Sequence, residues 1–278
     1  ADYPAIAMID EETGNKYMRP VPCKGLGESG EAKWVVKDMH EELKAWGRPG
    51  GAENKLLIKT DGENPIVALR EALAKEHGGL VTPEQPPRGE HASNGRVEEA
   101  GRTIRDMVRV LKLQLESNIG ADVKMSEPIM KWMVRWAAMM LSRFRVNSEN
   151  KTAYGKQTGR RCKQEVVPFA EKVWYRRLTE KGEGKSAMAS KWEEGIWLGH
   201  CRKSNEVWIG TNQGAVKAWT VRRRVTAERW DKHAIARFKA TPENPGGSAS
   251  DDAPGRPDDQ EGEEEPPTEE EEEEEKNR

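Results

Sequence analysis

The sequence predicts an α/β fold followed by a small β-rich unit, and three features carry that expectation. Up to about residue 145, short β-type runs alternate with longer stretches of helical period. From about residue 161 to 230 the pattern changes to short Val-, Ile- and Trp-rich pieces divided by Gly, Asn and Lys. From Thr241 the chain turns to Pro, Gly and Ser, and then to a run of glutamates with no periodicity at all.

The elements follow in order. "AIAMID" (5–10) reads as a strand, and "EETGN" as a turn into a second strand, "KYMRPVP". In "ESGEAKWVVKDMHEELKAWG", Val35, Met39, Leu43 and Trp46 share one helical face; Gly47 ends the helix and Pro49 stops its continuation. "KLLIKT" (55–60) is a short strand with Asp61 at its C-terminal end, and Pro65 opens the helix "PIVALREALAKEHG". "GLVTP" (79–83) is a further strand, followed by a Pro/Gly-rich loop and a helix within "SNGRVEEAGRTIRDMVRVLK" (93–112). A second long helix spans about 127–145, with Ser126 as its expected N-cap and Pro128 just inside. Ile129, Trp132, Met133, Trp136, Met140 and Phe144 give it one broad apolar face, which reads as core. This order describes helices packed on a mixed sheet. The later pieces "VVPFAEKVWYRRL", "EEGIWLGH", "EVWIGTN" and "AVKAWTVRRRV" have the spacing of a small antiparallel barrel or sandwich.

Charge is unevenly placed. The formal net is −2, yet residues 251–278 hold 15 acidic and 3 basic side chains, which leaves +10 on residues 1–250. Residues 101–240 alone carry 30 Lys/Arg against 14 Asp/Glu. A basic body suits a polyanionic partner, and a block of like charge resists folding. Cys23, Cys162 and Cys201 are far apart and odd in number, which supports neither a disulfide framework nor a zinc site and fits a reducing compartment. No apolar run approaches the roughly 18 residues needed to span a bilayer, so no membrane partner is expected. The chain opens on Ala1, directly into a strand pattern, which reads as a piece of a longer polyprotein.

The 93–112 helix carries the candidate site. Val97, Gly101, Ile104, Val108, Leu111 and Leu115 recur at helical spacing as a buried stripe. Glu98, Arg102, Arg105, Arg109 and Lys112 form a second stripe beside it. A capped, solvated helix explains this pattern by itself, since Glu suits a helix N-terminus and pairs weakly with Arg four residues on. Asp61 shifts the balance. A carboxylate at the C-terminal end of a strand lies where α/β folds place functional groups, although an Asp-Gly pair also simply opens a turn. The helix, strand and loop between Asp61 and Glu98 bring the chain back toward its start. Two carboxylates meeting there would need protonation or a hard divalent cation such as Mg2+ or Mn2+. Such a site beside a basic face is equipment for phosphodiester chemistry.

"KTDGEN" followed by "SNGRVEEAGRTIRDMVR" resembles the second and third acidic motifs of the retroviral and copia-type retrotransposon integrase core. "AIAMIDEETGNKYM" is similar to that family's second strand and hairpin, and "NKTAYGKQTGRR" to the segment after its core. "FAEKVWYR", "EEGIWLGH" and "VWIGTNQGAVKAWTVRRR" are similar to the small β domain downstream in copia-like polyproteins, so the resemblance covers about residues 3–230. It implies an RNase H-like mixed sheet flanked by helices and a small all-β barrel-like domain; the composition beyond it implies a disordered acidic tail. The domains would be 1–120 (catalytic core without its first strand), 121–160 (helical extension and linker), 161–230 (β domain) and 241–278 (tail). Asp61 and Glu98 match the second and third metal-binding carboxylates, one residue further apart than is usual. Asn94 and Gly95 match the turn that opens the active-site helix, and Glu99 lies about 100° further round it.

Arg96, Arg102, Arg105, Arg109 and Lys112 are the DNA-binding candidates on or beside the face that meets DNA in that family. The family's first Asp would fall upstream of Ala1; Asp2 lies too close to the strand, and Asp10 reads as a turn residue. The resemblance therefore implies a truncated, catalytically incomplete integrase with metal-dependent end processing and strand transfer as its inherited reaction. Its partners would be element and target DNA and further copies of itself; integration implies a nuclear location, which leaves room for a cytoplasmic phase. "TVRRRV" (220–225) is a further DNA-contact candidate, which strand alternation explains equally well. A non-catalytic DNA-binding or assembly module derived from an integrase is the competing expectation, and an RNase H-like nuclease a third, which the β domain disfavours.

Overall fold

A computed structural model describes residues 4–27, 30–51, 54–84, 95–177 and 190–247. Of the tail expected over 241–278, residues 241–247 are described and ordered by backbone bonds, the Thr241 N–H donating to Asn244 O at 3.2 Å; Asp2, Asn94 and residues 248–278 lie outside the described residues.

Strands β1 (Ala5–Ile9) and β2 (Lys16–Pro20) form an antiparallel hairpin in which Ala7 faces Met18. Alternation sends Ile6 and Tyr17 to one face and Ala7 and Met18 to the other. Helix α1 (Trp34–Ala45) buries the expected face, with Val35, Met39, Leu43 and Trp46 all in the core. Strand β3 (Leu56–Lys59) leads to α2 (Asn64–His77), and β4 (Val81–Glu84) returns parallel to β3. Helices α1 and α2 cover one face of both strand pairs, with Ile6, Met8, Leu56 and Ile58 packed against them.

The expected mixed sheet is split. β1–β2 and β3–β4 are separate two-stranded sheets, and among the described residues no ladder joins β1 to β3. A single apolar layer, α1 with α2, nevertheless serves both.

Helix α3 (Gly95–Ile119) runs past the expected end and seats on the outer face of the hairpin. Helix α4 (Pro128–Phe144) is the centre of the molecule. Its N-cap is Glu127 rather than Ser126, with no side-chain cap bond; instead the Glu127 carboxylate accepts from the Lys124 N–H at 2.9 Å. Residues 132–139 of α4 are all buried, where one face was expected. The reason is that α4 is flanked twice, by β2 and α3 on one side and by the β-rich unit on the other.

That unit is a closed antiparallel barrel of β5 (Lys172–Arg177), β6 (Glu193–His200), β7 (Val207–Thr211) and β8 (Gly214–Arg223). Its interior residues Val173, Tyr175, Ile196 and Ile209 belong to the same apolar cluster as Trp132, Met133 and Trp136 of α4. Contact is tight at Gly199, whose φ of +120° and nearness to the Trp136 ring (2.8 Å from where a Cβ would lie) leave room for no side chain. Two short helices missed by periodicity complete the chain, α5 (Ala153–Thr158) and α6 (Lys232–Arg237). Asp231 caps α6 by accepting from the His233 and Ala234 N–H groups. Phe238 and Ala240 follow into the core, where Ala240 O accepts from Trp132 Nε1 at 3.0 Å.

Candidate nucleic-acid interface

Asp61 follows a well-anchored strand end. The Thr60 N–H donates to Glu84 O at 3.2 Å, and Arg70 Nη1 of α2 donates to Thr60 Oγ1 at 3.2 Å. The next residue, Asp61, is exposed, and Glu63 then caps α2 with extended backbone. Glu98 stands in the first turn of α3, also exposed, where a carboxylate complements the helix dipole. The two carboxylates are thus held by different layers: Asp61 by β3 and α2, Glu98 by a helix whose seat is β1–β2.

The seat is in ordinary van der Waals contact at Gly101. Gly101 faces Met18, whose methyl lies 3.8 Å from the position a Cβ would take. The buried stripe of α3 is Ala100, Gly101, Ile104, Val108, Leu111 and Leu115, while Val97 is only half-buried. Burial therefore matches the expected period with one position exchanged at the frayed end.

The five candidate cations differ in what they are free to do. Arg102 and Arg105 are exposed and make no ion pair among the described residues. Arg109 pairs with Asp106 at 2.7 Å, but both side chains are largely solvated, so the pair contributes little. Arg96 reaches across to the β1–β2 turn, 3.4 Å from Glu11 O and 3.8 Å from its carboxylate. Lys112 is engaged by Glu116, which also accepts the Val123 N–H at 2.8 Å. Together the Lys112 bond and the Val123 N–H hold the Glu116 carboxyl below its usual range. Lys112 is therefore a strut for the α3–α4 connection more than a free cation.

The sequence did not mark two further cations at the head of α3. Lys16 lies close enough to Arg145, Glu99 and Arg96 for their charges to act on it, and its pKa is lowered chiefly by burial and then by Arg145. The Lys16 N–H donates to Ser142 Oγ at 2.9 Å, which brings the end of α4, and hence Arg145, to the start of β2. Only tertiary packing could reveal this. Asp10 is a turn residue as expected, accepting from the Thr13 hydroxyl at 2.6 Å.

Chemically, Asp61 and Glu98 offer the hard oxygen donors that Mg2+ or Mn2+ prefers. The number of donors falls short, because among the described residues no group of three or more His, Cys, Asp or Glu is placed to hold a metal ion. No helix among them is long and apolar enough to cross a membrane.

No protein-family profile matches the chain, and no curated protein does. Among solved structures, it is similar to a chain of the simian T-cell lymphotropic virus intasome in complex with PP2A regulatory subunit B56 gamma. That likeness has 14% identity and a TM-score of 0.40 over 81% of this chain and 75% of the other. It is also similar to the catalytic core domain of BIV integrase, with 15% identity and a TM-score of 0.38 over 56% of this chain and 85% of the other. These likenesses are too loose to assign a family or a shared site. What the molecule itself defines is a mixed α/β protein with a closed four-stranded barrel packed on its central helix.

Proposed function

We propose that this chain is an integrase-type polynucleotidyl transferase domain of a retroelement, able to bind DNA and catalytically incomplete as it stands. The observation that carries this reading is the head of α3. An exposed Glu98 opens a helix whose outer face then presents Arg102 and Arg105, neither engaged in an ion pair among the described residues. Asp61, exposed just beyond β3, supplies the second carboxylate in the order the sequence motifs require. On this reading the split sheet is an RNase H-like core without its first strand, which is supported by β1 and β3 sharing an apolar layer with no ladder between them among the described residues. On this reading Asp61 and Glu98 are two of the carboxylates for Mg2+ or Mn2+. Arg102, Arg105 and Arg109 hold DNA phosphates, with Arg96 and Lys112 in supporting places. The partners are element and target DNA and further copies of the chain, and the setting is the nucleus.

That no group of three or more His, Cys, Asp or Glu is placed to hold a metal ion among the described residues favours a second reading, a DNA-binding or assembly module that performs no chemistry. Both readings share the interface, and a salt titration of duplex binding tests it. The logarithm of affinity falls with the logarithm of salt by about 0.9 per phosphate neutralised. Replacing Arg102 and Arg105 together by Ala should reduce that slope by about two. An unchanged slope removes the α3 face from the interface and with it both readings.

A further inference from the structure

We propose that the outward face of β5 and β8 is a docking site for this chain's own acidic segment, residues 251–278. On this face Arg176 stands opposite Thr220, and Trp174 opposite Arg222. A register shift beside Arg176 and Arg177 leaves Trp219 without a partner in the ladder, and Trp219 is 59% exposed. Arg222 lies 4.6 Å over the Trp192 ring, and Arg224 lies 4.5 Å over Trp174.

The cations here fall into two sets. Arg223, Arg224 and Lys172 are already saturated: Arg223 by the buried Glu171, Arg224 by Glu194 and Glu228, Lys172 by Glu194 and Asp231. Arg176 and Arg222, and Lys191 next to Trp192 in the chain, are exposed and make no ion pair among the described residues. A guanidinium stacked on an indole keeps its edge donors free and presents a planar fork, which carboxylates fit in bidentate fashion. The face is therefore built for an acidic ligand.

The chain supplies one. Residues 251–278 carry a net −12, including seven consecutive glutamates at 269–275, against +10 on the rest. The exit point is close at hand, because the Ala215 N–H at the start of β8 donates to Pro245 O at 2.6 Å. From Gly214 to Arg222 is eight residues of strand, about 27 Å. Residues 248–260 can span at most about 45 Å when extended, so the glutamates reach the face. Tethering gives them an effective concentration of about millimolar, which no free polyanion need match. Docked, the segment screens the barrel from nucleic acid and other polyanions.

Zero-length carbodiimide cross-linking of the full chain tests this without any nucleic acid, so its outcome is independent of the integrase reading. The expected product joins Lys191 to glutamates within 269–275 inside one monomer and disappears at about 0.5 M salt, where the Debye length falls to about 4 Å. Arg176→Ser with Arg222→Ser should lower its yield about fivefold without unfolding the barrel, both sites being exposed. In parallel, replacing Glu269 to Glu275 by Gln should raise affinity for heparin about tenfold, and the Arg176/Arg222 pair of substitutions should cancel that gain. Links only between chains, links mapping to lysines on other faces, or a heparin affinity indifferent to the glutamates would each overturn the proposal.

Discussion

Arg202 Nη2 donates to Asp38 Oδ1 at 2.6 Å, fastening the β6–β7 loop of the barrel to α1 across 164 residues of chain. The same guanidinium donates through Nε to Glu42 at 2.7 Å, and Lys203 beside it pairs with Glu41 at 2.9 Å. From below, Arg143 Nη2 donates to the carbonyls of Cys201 and Arg202, and Arg135 Nη1 to that of His200. The loop is held by side chains of α1 and backbone contacts to α4, so the barrel sits in one fixed place on the α/β layer.

Breaking this latch should be costly. Arg202 and Asp38 are both largely buried, and removing one partner strands the other. Arg202→Ala is expected to lower stability by about 2–4 kcal/mol in urea denaturation. Adding Asp38→Asn should cost less than the sum of the single changes, because either one already breaks the contact.

Acid should weaken the protein in two stages. His200 is buried, and its Nε2 meets Glu165 O at 2.8 Å. A carbonyl only accepts, so Nε2 carries the proton and the buried Nδ1, without a partner among the described residues, is bare. Burial pushes its pKa down to about 4. The unfolded chain binds this proton first, near pH 6.5, so stability is intact above that value and falls as pH drops toward 4. At pH 5 the loss from this group is about 2 kcal/mol, and His200→Gln should flatten that part of a Tm-against-pH curve. Asp38 governs the second stage. Burial pushes its carboxyl up, but Arg19 and Arg202 outweigh it and hold it well below the usual range. Its contribution is present above about pH 3.9 and is lost only in stronger acid.

Gly199→Ala should destabilise by about 2–4 kcal/mol. The new methyl would fall 2.8 Å from the Trp136 ring on a backbone with φ of +120°. Thermal unfolding followed by tryptophan fluorescence reads the effect, and Gly246→Ala, whose methyl would meet nothing nearer than Asn244 Oδ1 at 3.9 Å, serves as the contrast.

Along α3, stability and binding should separate. Arg102→Ala should leave stability within about 0.5 kcal/mol, as at other exposed sites. Lys112→Ala should lower it measurably, because Glu116 then keeps only the Val123 N–H. Parallel chemical denaturation of the two variants checks this. A weakened DNA affinity in Arg102→Ala then reports the interface and not the fold.

Which features were legible in the sequence follows from how far each interaction reaches. Helix α1 was readable because Val35, Met39, Leu43 and Trp46 share a face set by local period. The α3 stripe was readable for the same reason, and Val97 missed burial only because it lies at the helix's first turn. The two-sided burial of α4 was not, since its second partner, the barrel, comes from residues after 170. Nothing near Asp38 in sequence announces Arg202, and nothing near Lys16 announces Arg145. The sheet's division was equally hidden, because β1 and β3 each have the pattern of a strand and only pairing tells whether they meet. Of the candidate site, the positions of Asp61 and Glu98 at a strand end and a helix start came from the sequence. The division of the cations into free and engaged came from packing alone.

The central claim is that Asp61 and Glu98 are carboxylates of an integrase-type site, and Mn2+-dependent disintegration of a branched DNA substrate tests it most directly. The 278-residue chain is compared with a version extended upstream of Ala1, and the extended version with its Asp61→Asn and Glu98→Gln forms. The account predicts that the extended chain joins strands, that the 278-residue chain does so far more weakly, and that each substitution lowers the extended chain's rate by at least about a thousandfold, a loss of about 4 kcal/mol in transition-state stabilisation. Undiminished activity in both substituted forms would contradict it.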